Sequence, residues 1–192
     1  GPHGYSYGAS TDEVEGLVKP LLVGENPLDR ERLWHLMMKH TGFSDGLVGN
    51  IDSALWDLLG RMAGVPVAKL LGGAREKVKA YASSAPNLGP PDVYAEHALE
   101  CQRRGYQAYK IHPYIYWDPH KREPAPGMPA FPKEDVTICK AVREAVGDSM
   151  VLMLDPWGVY TYQEALYVGR ELERLEFYWL EHPMDESRIE PY

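Results

Sequence analysis

From residue 77 onward the chain alternates short β-rich runs with amphipathic helical stretches, and this alternation most limits the folds open to it. Lys77–Ser83 reads as a strand, Pro91–Arg104 as a helix, Gln107–His112 as a second strand and Glu134–Val146 as a helix. Met150–Asp155 is a third strand, Tyr162–Leu175 a helix and Phe177–Glu181 a fourth strand. Apolar strands separated by helices predict a parallel sheet covered by helices. Such units build either an open doubly wound sheet or a (β/α) barrel. No GxGxxG or GxxxxGK[ST] follows any strand, so the usual mark of a nucleotide-binding sheet is missing and the barrel is favoured.

The strand ends repeat one feature. The second strand closes on Lys110-Ile111-His112-Pro113, the third on Asp155-Pro156 and the fourth on Glu181-His182-Pro183. In parallel barrels the C-terminal strand ends form the mouth where active sites sit. Capping of the following helices is the plainer explanation of any one such end, and three in succession weaken it. Asp155 and Glu181 are 26 residues apart, about one strand–helix unit, which predicts neighbouring strands with adjacent carboxylates. Carboxylates held close repel unless a proton or cation lies between them. They are therefore candidates for a general acid/base pair or for hard ligands of Mg²⁺. Lys110 and His112, two residues apart, point to the same side of their strand. A metal and a second cationic group nearby would lower the lysine pKa toward that of a usable base. The set suits proton abstraction next to a carboxylate.

The first 75 residues read as helical. Thr11 is a candidate N-cap with Asp12 and Glu13 behind it, and Pro20 is expected to bend or end that helix. A second helix is expected near Pro27, with Leu33, Trp34, Met37 and Met38 on one face. The strongest periodicity runs from Leu47 to Met62 and predicts a helix with a wide buried stripe. Gly64-Val65-Pro66 ends it, and a short helical turn to Leu71 closes at Gly72-Gly73.

Composition removes several classes of function. No apolar run approaches the roughly 18 residues of a membrane helix. Twenty basic against 28 acidic residues give a net charge of −8, with no Lys/Arg block to grip a phosphate backbone, so nucleic acid is excluded as a partner. Cys101 and Cys139 cannot form a disulfide framework and lie in no CxxC. They read as reduced structural thiols of a cytoplasmic protein.

Specific segments resemble the enolase superfamily, in its mandelate racemase/muconate lactonizing branch. Asn50–Gly73, NIDSALWDLLGRMAGVPVAKLLGG, looks like that branch's AIDxALWDxxGKxxGxPxxxLLGG segment. GYQAYKIH resembles the strand with the catalytic Lys-x-Lys, and MVLMLD and YWLEHP resemble the strands with the first two metal ligands. The resemblance implies the helical part of an α+β capping domain over residues 1–75. It implies the first four strand units of a modified (β/α)7β barrel over 76–192, truncated relative to the family. It also implies an Mg²⁺ cofactor held by Asp155 and Glu181, with Lys110 and His112 as the catalytic pair on one face.

Three departures from the family accompany it. His112 replaces the second lysine, and imidazole works as a base with less tuning. Trp157 stands where many relatives have Asn. The chain stops eleven residues beyond Glu181, before the strand expected to bring a third carboxylate and the later one expected to bring the opposite-face base. An insertion with six prolines from Pro113 to Pro132 also follows His112; such a segment serves as a lid or specificity element, or as a surface excursion or oligomer contact.

The leading expectation is Mg²⁺-dependent removal of the α-proton of a small hydroxy-carboxylate through a metal-stabilised enediolate, as in a sugar-acid dehydratase, by a homo-oligomeric enzyme. A racemase or epimerase shares that first step. A Schiff-base aldolase using Lys110 and a non-catalytic incomplete barrel are the readings from other classes.

Overall fold

The computed structural model describes residues 1–120 and 123–185. The chain forms two compact units, residues 1–78 and residues 79–192.

The first unit is helical. α1 (Thr11–Glu13) leads through a π-helical turn, Val14–Val18, into α2 (Lys19–Leu22). Ser10, not Thr11, is the N-cap: its Oγ accepts the Glu13 N–H while the Glu13 carboxylate accepts the Ser10 N–H, a reciprocal capping box. Pro20 does not end the helix. The π turn runs before it, with the Lys19 N–H donating to the Val14 carbonyl, and Pro20 falls in the first turn of α2, where its missing N–H costs little. α3 (Arg30–Lys39) starts three residues after Pro27, behind Asp29. Leu33 and Met37 are buried on it, whereas Met38 is 46% exposed, because the seam follows a step of four. α4 (Asp45–Ala63) begins at a Ser44 cap, whose Oγ accepts the Leu47 N–H at 3.1 Å. It ends at Gly64, which takes the left-handed φ of 65° that a helix C-terminus requires. Its expected stripe is only partly covered: Leu47 and Val48 are buried and Ile51, Leu55, Leu58 and Leu59 half-buried. α5 (Val67–Leu70) is the expected short turn.

The second unit carries the sheet. Its elements are β1 (Ala82–Ser83), α6 (Pro91–Arg103), β2 (Ala108–Ile111), β3 (Trp117–Asp118), β4 (Glu123–Pro124), α7 (Pro132–Val146), β5 (Val151–Leu154), α8 (Tyr162–Arg174) and β6 (Trp179–Leu180). β1, β2, β5 and β6 lie side by side in that order, all parallel. A doubly wound sheet reverses its strand order at a switch point. This one does not, and the architecture is that of a partial (β/α) barrel. β1 and β6 are shorter than the expected Lys77–Ser83 and Phe177–Glu181, because among the described residues each pairs on one side only.

Alternation along the strands separates two environments. Tyr109, Ile111, Leu152 and Leu154 are buried against Tyr94, Ala98 and Cys101 of α6, Val136, Cys139 and Val142 of α7, and Val168 and Leu172 of α8. Both cysteines are free thiols in this layer. Arg143 of α7 locks the strand-entry side by donating to the carbonyls of Gly147, Met150, Leu175 and Glu176 at 2.8–3.1 Å. Among the described residues no helix is long and apolar enough to cross a membrane.

The insertion is an antiparallel hairpin of β3 and β4, with Lys121 and Arg122 outside the described residues. Asn87 ties its start to the β1–α6 connection, with both amide atoms engaging the Ile115 backbone at 2.8 and 3.0 Å. Tyr114, Tyr116 and Phe131 pack ring to ring at its base.

Candidate active site

Lys110, His112, Asp155 and Glu181 come together at the C-terminal ends of β2, β5 and β6. Parallel pairing sets Lys110 opposite Met153 and Met153 opposite Trp179, so His112, Asp155 and Glu181 form the next row along the strands. The ladder holds that row: the Asp155 N–H donates to the Ile111 carbonyl and the Glu181 N–H to the Leu154 carbonyl.

The Lys110 ammonium donates to Asp155 Oδ2 at 3.0 Å and to Glu181 Oε1 at 2.9 Å. It is the cation that two neighbouring carboxylates demand. Burial works to lower the Lys110 pKa, but the hydrogen bonds it donates to Glu181 and Asp155 outweigh it and hold the amine above its ordinary value. Carboxylates are its charged neighbours here, and the lowering expected beside a metal and a second cation belongs to a different arrangement. Asp155 is 8% exposed, and burial alone would raise its pKa. Hydrogen bonds from His112, the Trp157 backbone and Lys110 bring it below the usual value instead.

His112 is fixed at both nitrogens. Nδ1 lies 2.9 Å from the Ser84 carbonyl oxygen and 3.1 Å from Ser83 Oγ. The Ser84 carbonyl and the Asp155 carboxylate both only accept, so each ring nitrogen faces an acceptor, and Nε2 can take up a proton only after passing on the one it shares with Asp155. Nε2 faces the site, 3.0 Å from Asp155 Oδ2. The backbone is also gripped: the His112 N–H donates to Ser84 Oγ at 2.8 Å and the His112 carbonyl accepts the Tyr94 hydroxyl at 2.9 Å.

Several supporting residues were not singled out from the sequence. The Trp179 indole donates to Glu181 Oε2 at 3.1 Å, and the Tyr81 ring lies 5.5 Å from Lys110 Nζ. Trp179 precedes Glu181 by two positions, so the rule that pairs Lys110 with His112 would have found it. Ser83 and Ser84 lacked such a signal, since a carbonyl acceptor leaves no mark in sequence. Ala108, Met153 and Trp179 are among the strand residues that line a cavity of about 730 Å³.

The donor set can be tested against a divalent metal. Asp155 and Glu181 each place an oxygen within 3.0 Å of one point, the Lys110 nitrogen, so a single cation can meet both. Carboxylate oxygens are the hard ligands that Mg²⁺ prefers. Among the described residues no group of three or more His, Cys, Asp or Glu is arranged to hold a metal, so those residues offer the ion this carboxylate pair.

Residues 93–192 match the family model described as enolase C-terminal domain-like. Residues 2–72 match the mandelate racemase/muconate lactonizing enzyme N-terminal domain. The chain is 32% identical over 185 residues to an arabinonate dehydratase of Saccharolobus solfataricus, covering 92% of this chain and 46% of that protein. It is 30% identical over 181 residues to a D-galactarolactone cycloisomerase of Agrobacterium fabrum, covering 89% and 44%. The crystal structure of a D-glucarate dehydratase from Agrobacterium tumefaciens complexed with magnesium superposes with a TM-score of 0.84 at 38% identity, covering 98% of this chain and 51% of that one. The chain thus spans about half the length of the relatives it matches.

Proposed function

Since this chain belongs to the enolase superfamily, in its mandelate racemase/muconate lactonizing branch, we propose that the protein carrying it removes the α-proton of a sugar acid and dehydrates it. One observation carries this reading: a cation-bridged carboxylate pair, Asp155 and Glu181, stands beside a histidine whose Nε2 faces the same space. The α-proton of a carboxylate is weakly acidic, and its removal requires cationic groups where negative charge accumulates together with a base in reach. Lys110 supplies an ammonium for the substrate carboxylate once a metal takes its place between Asp155 and Glu181. His112 Nε2 is placed to take or return a proton, while its Nδ1–H is spent on Ser84. An Mg²⁺ held by Asp155 and Glu181 would add charge stabilisation of the deprotonated acid. Trp179 orients Glu181 for that task.

Residues 79–192 then supply the barrel chemistry, and 1–78 the helical part of the capping domain. A small-molecule acid is the partner in this reading, and assembly as a homo-oligomer accompanies it.

The test uses the protein expressed from its complete reading frame. It is incubated with a panel of five- and six-carbon sugar acids and Mg²⁺, then with EDTA. Formation of a 2-keto-3-deoxy product, lost on chelation, is the expected result. Exchange of the α-proton in deuterated water without loss of hydroxyl would instead point to racemisation or epimerisation.

A further inference from the structure

Trp157 holds a left-handed backbone, φ 61°, which is costly for a bulky side chain and persists only where surroundings enforce it. Its N–H donates to Asp155 Oδ1 at 3.0 Å. Its ring meets His112 nearly edge-on, with centroids 5.4 Å apart at 62°. It also meets Trp117 of the hairpin, 5.1 Å away at 87°. The buried indole N–H finds no acceptor among the described residues. Among the described residues no hydrogen bond sets the plane of the indole, and its ring contacts help to do so.

His112 needs such a wall. Both nitrogen contacts are made at the ring edge, and the Asp155 Oδ2 that receives one of them is shared with Lys110, so packing against the ring steadies its plane. The indole of Trp157 supplies that packing. Behind it stands a hairpin that does not float: Asn87 clamps Ile115, and the Tyr114, Tyr116 and Phe131 rings lock its base. Trp117 is the ring through which this anchored element reaches Trp157.

We propose that Trp117 and Trp157 are positioning residues for His112, so that the β3–β4 hairpin sets the orientation of the imidazole through the two indole rings. The purpose of that orientation rests on the proton-transfer reading above; the placement itself does not.

The test is run on the complete protein labelled at histidine, following the His112 ring protons by NMR, with His112→Asn used to assign them. Trp157→Ala removes the adjacent ring current and sets the scale. Trp117→Ala is expected to give about half of that displacement or more, although Trp117 does not contact His112, and Trp117→Phe to restore most of the wild-type shift. With a sugar acid that is turned over, Trp117→Ala should lower kcat about tenfold with KM changed less than about twofold, because misorientation of a base acts on the chemical step. If Trp117→Ala does not fold, Trp117→Leu keeps the bulk without the ring and serves in its place. An unmoved His112 signal in the folded variant would overturn the proposal. A signal that moves in a protein that turns over none of the acids would leave the positioning standing and remove the proton-transfer reading.

Discussion

Lys110 Nζ lies 2.9 Å from Glu181 Oε1 across 71 residues of chain, and the same ammonium reaches Asp155 on the intervening strand. Asp155→Asn or Glu181→Gln removes one of two charges that face the bridging cation. In the complete protein each should lower turnover about a thousandfold or more, with thermal unfolding near wild type. Calorimetric titration with Mg²⁺ should lose its binding heat in both. Wild-type turnover by either variant after EDTA treatment would contradict the assignment of these carboxylates.

His112→Asn is expected to abolish α-proton exchange in deuterated water from the face it serves. Mg²⁺ affinity should stay within a few-fold of wild type, because the imidazole is not one of the two carboxylate ligands. Exchange that persists in this variant would place the base on another residue.

Asp135, in the first turn of α7, is 1% exposed and accepts the Tyr160 hydroxyl at 2.5 Å, while its Oδ1 has no partner among the described residues. Burial pushes its carboxyl up from 3.8 to about 7, with Glu134 adding to the rise and the Tyr160 hydrogen bond only partly opposing it. Between those values the folded state keeps a proton that the unfolded state has lost, so stability falls as pH rises from about 4 to about 7 and is level above. Asp135→Asn should remove this slope. Its advantage over wild type in urea unfolding should grow across that window toward roughly 4 kcal/mol at most. A difference independent of pH would mean that the carboxyl is ionised throughout.

Arg143 donates to four backbone carbonyls that belong to the ends of α7 and α8 and the start of β5. Arg143→Met strands those acceptors and should cost about 2–4 kcal/mol in urea unfolding. Because they lie at the strand-entry side, kcat/KM of the folded fraction should be unchanged. A loss of stability below about 0.5 kcal/mol would show that water replaces the guanidinium without penalty.

The sheet was legible because its strands obey simple rules. An apolar run bounded by turn residues gave β2 and β5 within a residue or two, and the spacing of Asp155 and Glu181 placed them on adjacent strands. The edge strands were overestimated, since Lys77–Val78 and Phe177 have strand-like side chains but no partner that sequence can reveal. The helix start at Ser10 was missed by one position because Thr11 is an equally good cap by type; the carboxylate of Glu13 chose between them. In the site, period two announced Lys110 and His112. It could not announce that the lysine pKa is held up, which depends on two carboxylates arriving from distant sequence. The hairpin was visible only as an excess of proline and aromatic residues, and its contact with Trp157 is a matter of tertiary packing.

β2 divides its side chains between two tasks: Tyr109 and Ile111 are packed under the helices, while Lys110 and His112 meet the carboxylates. Substitutions at the two sets should therefore act nearly independently. A change of reagent at position 112 asks nothing of α6 packing, and a repacked α6 leaves the reagents on their strand. A sheet of this design lets a lineage explore new reactions one residue at a time while its folding stability drifts on a separate track.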